Sequence, residues 1–194
     1  MVSERKKEER LLRKKRILDA ALSVFDKSGI DKTTMEEIAL EAGFGKATLY
    51  YYYPSKDHVY LEIMVTGWKS LWEEIEETIL NTSPPKKKIF EILDQVSRIV
   101  KNDNNLYKFL FTAPSYISDA DEEPWKKYQD RLYLVLQNTI EQGCKEGDFI
   151  DLKPATIMKA IGGLFHELLI GQKDTLTEKE FELIISNLIL SKAI

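Results

Sequence analysis

The residues with chemistry to offer concentrate between Thr33 and Lys56, in the run TTMEEIALEAGFGKATLYYYYPSK. It supplies hydroxyls, aromatic rings and two lysines, with no histidine or cysteine among them. Such a set suits noncovalent recognition of a polyanion better than bond-making. Lysine, threonine and tyrosine can donate to phosphate oxygens. A small side chain lets a helix approach a major groove, and Ala or Thr methyls can touch thymine. Helical spacing sorts the run into two faces: Lys46, Leu49, Tyr50 and Tyr53 on one, Ala47, Thr48, Tyr51 and Tyr52 on the other. Leu49 and the bodies of Tyr50 and Tyr53 are expected to pack inward. Ala47, Thr48 and Tyr51 are expected to face bases, with Thr33, Thr34, Lys46, Tyr52 and Lys56 on phosphate. For Tyr51 and Tyr52 an aromatic core cluster stays open as the other reading. Lys56 falls in the first turn of a following helix, where the dipole favours anions. A cation beside free backbone N–H groups makes an anion site there; the alternative is a tolerated surface lysine.

These side chains need helices to position them. Ile17, Ala21, Val24 and Phe25 form one apolar stripe on a first helix over about 5–28, with Leu11 and Leu18 extending it and Gly29 as a left-handed cap. A second helix starts at Thr33, where two overlapping capping boxes occur, Thr33-x-x-Glu36 and Thr34-x-x-Glu37. Gly43-Phe44-Gly45 makes a tight turn, and a third helix runs from about Gly45 to Tyr53, stopped by Pro54. The layout is that of a helix-turn-helix.

Charge supports an anionic partner at one end only. The chain has 194 residues, with 28 Lys+Arg against 32 Asp+Glu. Residues 1–60 carry 12 against 10, a net of +2, and the first 16 alone carry 8 against 3. That basic leader is expected either to fray as a solvated end or to dock on phosphates when DNA is present. Apolar residues make up 43%, enough for a sizeable core. One cysteine, Cys144, excludes an intrachain disulfide and a Cys-based zinc site, and His58 and His166 lie far apart, so no metal or cofactor is expected. No apolar run is long enough for a membrane span and no signal-peptide core occurs; the cytoplasm is the expected location.

The run TTMEEIALEAGFGKATLYYYYPSKDHVYLEI resembles the DNA-binding signature of the TetR family, the tetracycline-repressor-like regulators. Ile38-Ala39, Ala42-Gly43-Phe44, Thr48-Leu49-Tyr50, Tyr52 and Ser55-Lys56 carry the match, which covers about residues 10–65. Gly45, Ala47, Tyr52 and Tyr53 depart from the family's frequent choices, which leaves base preference open. The resemblance implies an all-α protein of about nine helices. A three-helix DNA-binding domain (1–54) would precede a helical ligand-binding and dimerisation domain (55–194).

The remainder reads as that body. A fourth helix, 55–80 with Ser55 as N-cap, is long enough to leave the head and carries Trp68, Leu71, Trp72, Ile75 and Ile79 on one face. Further helices are expected over 85–102, 106–113, 123–146, 154–170 and 178–192, with a loop from Pro114 to Glu123. Rings beyond the expected core suggest an apolar or aromatic effector with few polar anchors. The candidate pocket residues are Trp68, Trp72, Phe90, Tyr107, Phe111, Trp125, Tyr128, Phe165 and the polar His166. For each of them, plain core is the competing reading; for His166 it is a satisfied buried or interface residue. The last two helices are apolar on more than one side and so need two packing partners. A second subunit would take Ile161, Leu164, Leu168, Ile184, Ile185 and Leu188, unless all of these serve the chain's own core. The reading is a homodimeric, ligand-responsive regulator, a repressor on a palindromic operator. A helical carrier or sensor without specific DNA binding is the alternative, and no catalytic cluster supports an enzyme.

Overall fold

A computed structural model describes residues 2–80, 83–112, 124–170 and 177–189. The order is α1 (Val2–Ser28), α2 (Met35–Ala42), α3 (Lys46–Tyr52), α4 (Lys56–Leu80), α5 (Pro85–Asn102), α6 (Asn104–Thr112), α7 (Lys126–Glu146), α8 (Pro154–Ile170) and α9 (Glu178–Ile184). A five-residue π-helical turn, Ile185–Ile189, follows α9. No strand occurs among the described residues, and none of their helices is long and apolar enough to cross a membrane. The expected loop at 114–123 falls outside the described residues.

The chain divides into two compact units, Met1–Gly67 with Asn105–Asp121, and Trp68–Asn104 with Glu122–Ile194. In the first unit the stripe of α1 (Ile17, Ala21, Val24, Phe25) is buried with Ile38 of α2, Leu49 of α3 and Val59, Tyr60 and Ile63 of α4. The unit extends beyond a cut after residue 54 because α6 spends its rings here. Phe109 stacks on Phe25 at 5.6 Å and meets Tyr60 edge-on at 5.8 Å, arrangements that aromatic quadrupoles favour. The stripe of α1 does not reach as far back as expected: Leu11 is 65% exposed and Leu18 is only half-buried.

Helix ends follow local chemistry. Gly29 and Gly147 take positive φ after α1 and α7, where a missing Cβ removes the left-handed penalty. Pro85 opens α5 as its first residue. Pro124 instead precedes α7, which starts at Lys126. Thr177 and Glu180 form the expected capping box of α9. The expected single helix to 192 ends at Ile184, where the chain passes into the π turn. There Asn187 Nδ2 donates to the Leu183 carbonyl, 2.7 Å.

In the second unit Trp68, Leu71 and Ile75 of α4 are buried, as are Ile89, Ile92 and Val96 of α5, Leu132 and Ile140 of α7, and Ile157 of α8. Gly143 on α7 is a point of close approach: a Cβ there would sit 2.0 Å from the buried Phe149 ring and 3.1 Å from Pro85. Gly143→Ala is therefore expected to destabilise the chain by about 1–3 kcal/mol through overpacking. The urea midpoint reads this. Phe149→Leu in the same chain should recover part of the loss, giving a double variant more stable than the sum of its singles.

Candidate nucleic-acid interface

The interface is built on α3 and its supports. α2 is held at its start by Thr34, not Thr33. The Thr34 backbone N–H donates to Glu37 Oε2 at 2.8 Å, and the Glu37 N–H donates back to Thr34 Oγ1 at 3.3 Å. Of two overlapping boxes only this one closes, because Thr33 Oγ1 is already committed to the Gly29 carbonyl at 2.8 Å. Thr33 is 3% exposed, so it is a buried tie and not a phosphate contact. Thr34 remains exposed at the helix start. Its hydrogen bonds hold the Glu37 carboxyl below the usual glutamate range.

Gly43 ends α2 at φ +67, and its N–H donates to the Leu40 carbonyl, 3.0 Å. A Cβ there would lie 2.6 Å from the Arg16 guanidinium, which covers the Phe44 ring at 5.2 Å. Turn and α1 are therefore packed together where α3 begins. Gly45 is the N-cap of α3 and offers no side-chain cap, so the first N–H groups of α3 lack a side-chain partner from it.

α3 sorts its residues largely as its spacing predicts. Leu49 is fully buried and Tyr53 is 3% exposed. The Tyr53 hydroxyl is buried without a hydrogen-bond partner, and burial, then the nearby Glu62 carboxylate, push its pKa up. Lys14 lies 5.3 Å over the Tyr53 ring and pairs with Glu62 at 2.9 Å. Tyr50 departs from the expected inward packing: it is 41% exposed, with Lys46 over its ring. Ala47 is exposed, Thr48 half-buried and Tyr51 73% exposed. Tyr52 is half-buried, its ring edge-on to Tyr51 at 5.3 Å. The three expected base-facing residues thus lie together on the accessible side. The core-cluster reading fails for Tyr51.

The two lysines differ from each other. Lys46 is exposed and paired with Glu36, the carboxylate raising the lysine's pKa and the ammonium lowering the glutamate's. An exposed pair of this kind is held weakly, so Lys46 can exchange Glu36 for a phosphate. Lys56 is committed inward. Its ammonium donates to the carbonyls of Ile30 (2.9 Å), Asp31 (3.0 Å) and Thr33 (3.3 Å). An ammonium has three donors, and all three serve the α1–α2 turn. The structure corrects the expected phosphate role: Lys56 is a strut between the start of α4 and that turn. Ser55 caps α4 as expected, accepting from the His58 N–H at 3.4 Å.

The other expected residues scatter. Trp68 and Trp125 are buried and stacked at 6.4 Å, and Arg131 lies over the Trp72 ring at 5.1 Å. Phe90 and Tyr128 are half-buried and Phe165 is buried. Tyr107 and Phe111 belong to the first unit, so the nine do not form one cluster within a unit. His166 is exposed, contrary to a buried polar anchor. Two described clefts involve none of these residues. One, of about 280 Å³, is lined by residues of α1, the following turn and α6; the other, of about 370 Å³, by α4 and α5. Of the expected dimer residues, Ile161 and Ile185 are buried in their own chain, while Leu164 and Ile184 are half-buried. The side chains of Leu168 and Leu188 lie outside the described residues. Gly162 and Gly163 of α8, a pair that permits close backbone approach, are exposed, as is His166; sequence reasoning missed only Leu183 of α9, which joins them in the chain's outward-facing set. No grouping of metal-ligating side chains occurs among the described residues.

Comparison with known proteins agrees with this head. The family described as "Bacterial regulatory proteins, tetR family" matches residues 17–63. The biofilm operon icaADBC HTH-type negative transcriptional regulator IcaR of Staphylococcus aureus (strain Newman) is 28% identical over 179 residues, covering 89% of this chain and 77% of that protein. The HTH-type transcriptional regulator YhgD of Bacillus subtilis (strain 168) is 27% identical over 135 residues, 70% of this chain and 71% of that one. Among solved structures, AibR in complex with isovaleryl coenzyme A and operator DNA superposes with a TM-score of 0.78 at 17% identity, covering 90% of this chain and 96% of that chain; this is a likeness of fold.

Lys56→Met keeps the stem and removes the ammonium. The expected result is a stability loss of roughly 1–3 kcal/mol, read by urea denaturation, with the salt dependence of DNA binding unchanged. A fall of about one unit per protomer in the slope of log K against log salt would return Lys56 to a phosphate role.

Proposed function

We propose that the chain, whose residues 17–63 match the TetR family, is a ligand-responsive transcriptional repressor that binds a palindromic operator as a homodimer. One observation carries the reading: Ala47, Thr48 and Tyr51 are presented together on α3 while Leu49 and Tyr53 of the same helix are buried. A helix whose inner face is fixed offers its outer face in a single orientation, as major-groove reading requires. Ala47, Thr48 and Tyr51 meet base edges. Thr34, Lys46 and Tyr52 hold phosphates on either side. The cytoplasm, where the operator lies, is the place of action, and the chain regulates by binding without catalysis.

Dimerisation uses the outward faces of α8 and α9. Gly162 and Gly163 are exposed, with nothing within 4 Å of a Cβ built on either. They leave a flat strip on which a second backbone can settle, beside His166 and half-buried Leu164, while Leu183 and Ile184 supply apolar area from α9. Two heads then need recognition helices about 34–36 Å apart, one turn of DNA. An effector acts by favouring one head spacing, and its effect cannot exceed its differential affinity for the two states.

The second unit supports an aromatic-lined effector site. Trp68, Trp72, Trp125 and Phe165 are buried in it, Trp68 is stacked on Trp125, and the Trp125 indole N–H is buried without a hydrogen-bond partner. An effector with a flat apolar body and one acceptor fits that chemistry. AibR, whose complex holds isovaleryl coenzyme A together with operator DNA, is a fold relative in which ligand and DNA meet on one protein.

The test is selection of bound sequences from random duplex DNA, followed by titration at two salt concentrations. The expected outcome is a palindromic site whose affinity falls steeply with salt. Absence of salt-dependent binding to any duplex pool would leave the carrier or sensor alternative standing. Tyr51→Ala is expected to flatten base preference at one position of each half-site, by on the order of tenfold in discrimination. Repeating the selection with this variant reads that directly.

A further inference from the structure

α1 begins at Val2, but its packing begins only near Lys14. Residues 4–13 are all exposed, with Leu11 and Leu12 at 65% and 69%. At 1.5 Å per residue the helix ahead of Ile17 is about 22 Å long. It lies ahead of the residues 17–63 that match the family. An unpacked helix of this length is marginal in water, and it repays ordering only against a partner.

Its residues indicate which partner. The first 16 carry 8 Lys+Arg against 3 Asp+Glu. Lys6, Arg10 and Arg13 recur at i, i+4 and i+7 and so share one face. That face leads to the reading surface: the Arg13 guanidinium lies by the Tyr52 phenol at the end of α3. Within the next turn, Lys14 covers Tyr53 and Arg16 covers Phe44. We infer that the first four turns of α1 are a second DNA contact, an arm on which Lys6, Arg10 and Arg13 grip the phosphate backbone next to the groove that α3 reads. The inference rests on the DNA-binding reading above and adds to it a sequence-independent surface.

Little opposes the exchange. Arg13 is bound to Glu9 at 2.5 Å in an exposed i,i+4 pair, of a class worth about 0.3–0.5 kcal/mol. A basic helix also suits an anionic membrane, but a lipid surface needs an apolar stripe to insert. Leu11 and Leu12 are adjacent in sequence and diverge by about 100° around the helix, so they make no stripe. The duplex is therefore the better partner.

The experiment uses the full chain on its selected operator set in a longer duplex. It compares Lys6→Ala/Arg10→Ala/Arg13→Ala with Lys7→Ala/Lys15→Ala, whose cations lie on other faces of the same helix. Each protein is titrated across a salt series and footprinted with hydroxyl radicals. The triple variant is expected to lose about 0.9 of salt slope per phosphate given up, about 5 for a dimer with two arms. It should weaken binding at low salt, lose backbone protection beside the half-sites and keep its base preference; the double variant should lose far less per cation. An unchanged slope and footprint in the triple variant overturns the arm, and equal losses per cation from both variants overturn the stripe in favour of bulk charge. Sedimentation with phosphatidylglycerol vesicles that is lost in the triple variant while DNA affinity stays intact assigns the helix to lipid. A wild-type chain with no salt-dependent duplex binding overturns the regulator reading as well, and so is distinct from failure of the arm alone.

Discussion

The head depends on one small electrostatic arrangement, the Lys56 ammonium against the carbonyls of Ile30, Asp31 and Thr33. A turn that reverses the chain after a long helix leaves carbonyls pointing away from any helical partner. Here three of them converge, and a cation from the first turn of α4 fills the convergence. The arrangement also resolves a local conflict. A cation at a helix start is disfavoured by the macrodipole, and Lys56 escapes that cost by reaching away from its own helix to acceptors on another segment. Thr33 ties the same turn to Gly29 from within, and Thr34, the next residue, can then cap α2. The cap, the tight turn at Gly43 and the seating of α3 follow in sequence from that fixed point.

This explains which parts of the interface were legible in the sequence. Leu49 inward and Tyr51 outward are set by helical period, and period is written in the chain. The Gly29 and Gly43 caps are legible because positive φ selects glycine. Two overlapping capping boxes are not separable by pattern, since Thr33 and Thr34 each have a glutamate three residues on. What separates them is the Gly29 carbonyl within reach of Thr33 Oγ1, a fact of three-dimensional turn geometry. Lys56 is the same case at longer range: its acceptors lie about 25 residues earlier, and nothing local announces them. Tyr50 was misplaced because a seven-residue helix has too few turns for its stripe to cover a ring at the edge, and Lys46 holds that ring at the surface instead.

In the larger unit the limits fall elsewhere. Helices and most of their ends were legible, since Pro85, Pro154 and the Thr177–Glu180 box mark them. Direction of burial was not. α8 is apolar enough that its inner and outer faces look alike in sequence, and Ile161 goes to the protomer's own core while Gly162 and Gly163 face out. The π turn at Ile185 advances the chain by a different angle per residue, so an α-helical extrapolation beyond Ile184 assigns faces incorrectly. A division drawn after the third helix likewise missed α6, whose Phe109 belongs to Phe25 and Tyr60, because ring partners so far apart in sequence are set by tertiary packing.

The two lysines flanking α3 complete the argument about recognition. Lys46 is held by one exposed carboxylate, a partner it can leave at small cost. Lys56 is held by three carbonyls, and releasing it would strand acceptors on a turn that the head needs. Charge alone would treat them as equivalent phosphate ligands, whereas the number and kind of their existing partners separates a residue available to DNA from one that makes the DNA-reading surface possible. The same criterion ranks the cations of α1. Lys14 is spent on Glu62 and the Tyr53 ring and Arg16 on Phe44, while Arg13 is held by an exposed i,i+4 pair with Glu9. Affinity for an anionic polymer then resides in the cations whose present bonds are weakest, and the fold of the head resides in those whose bonds are not.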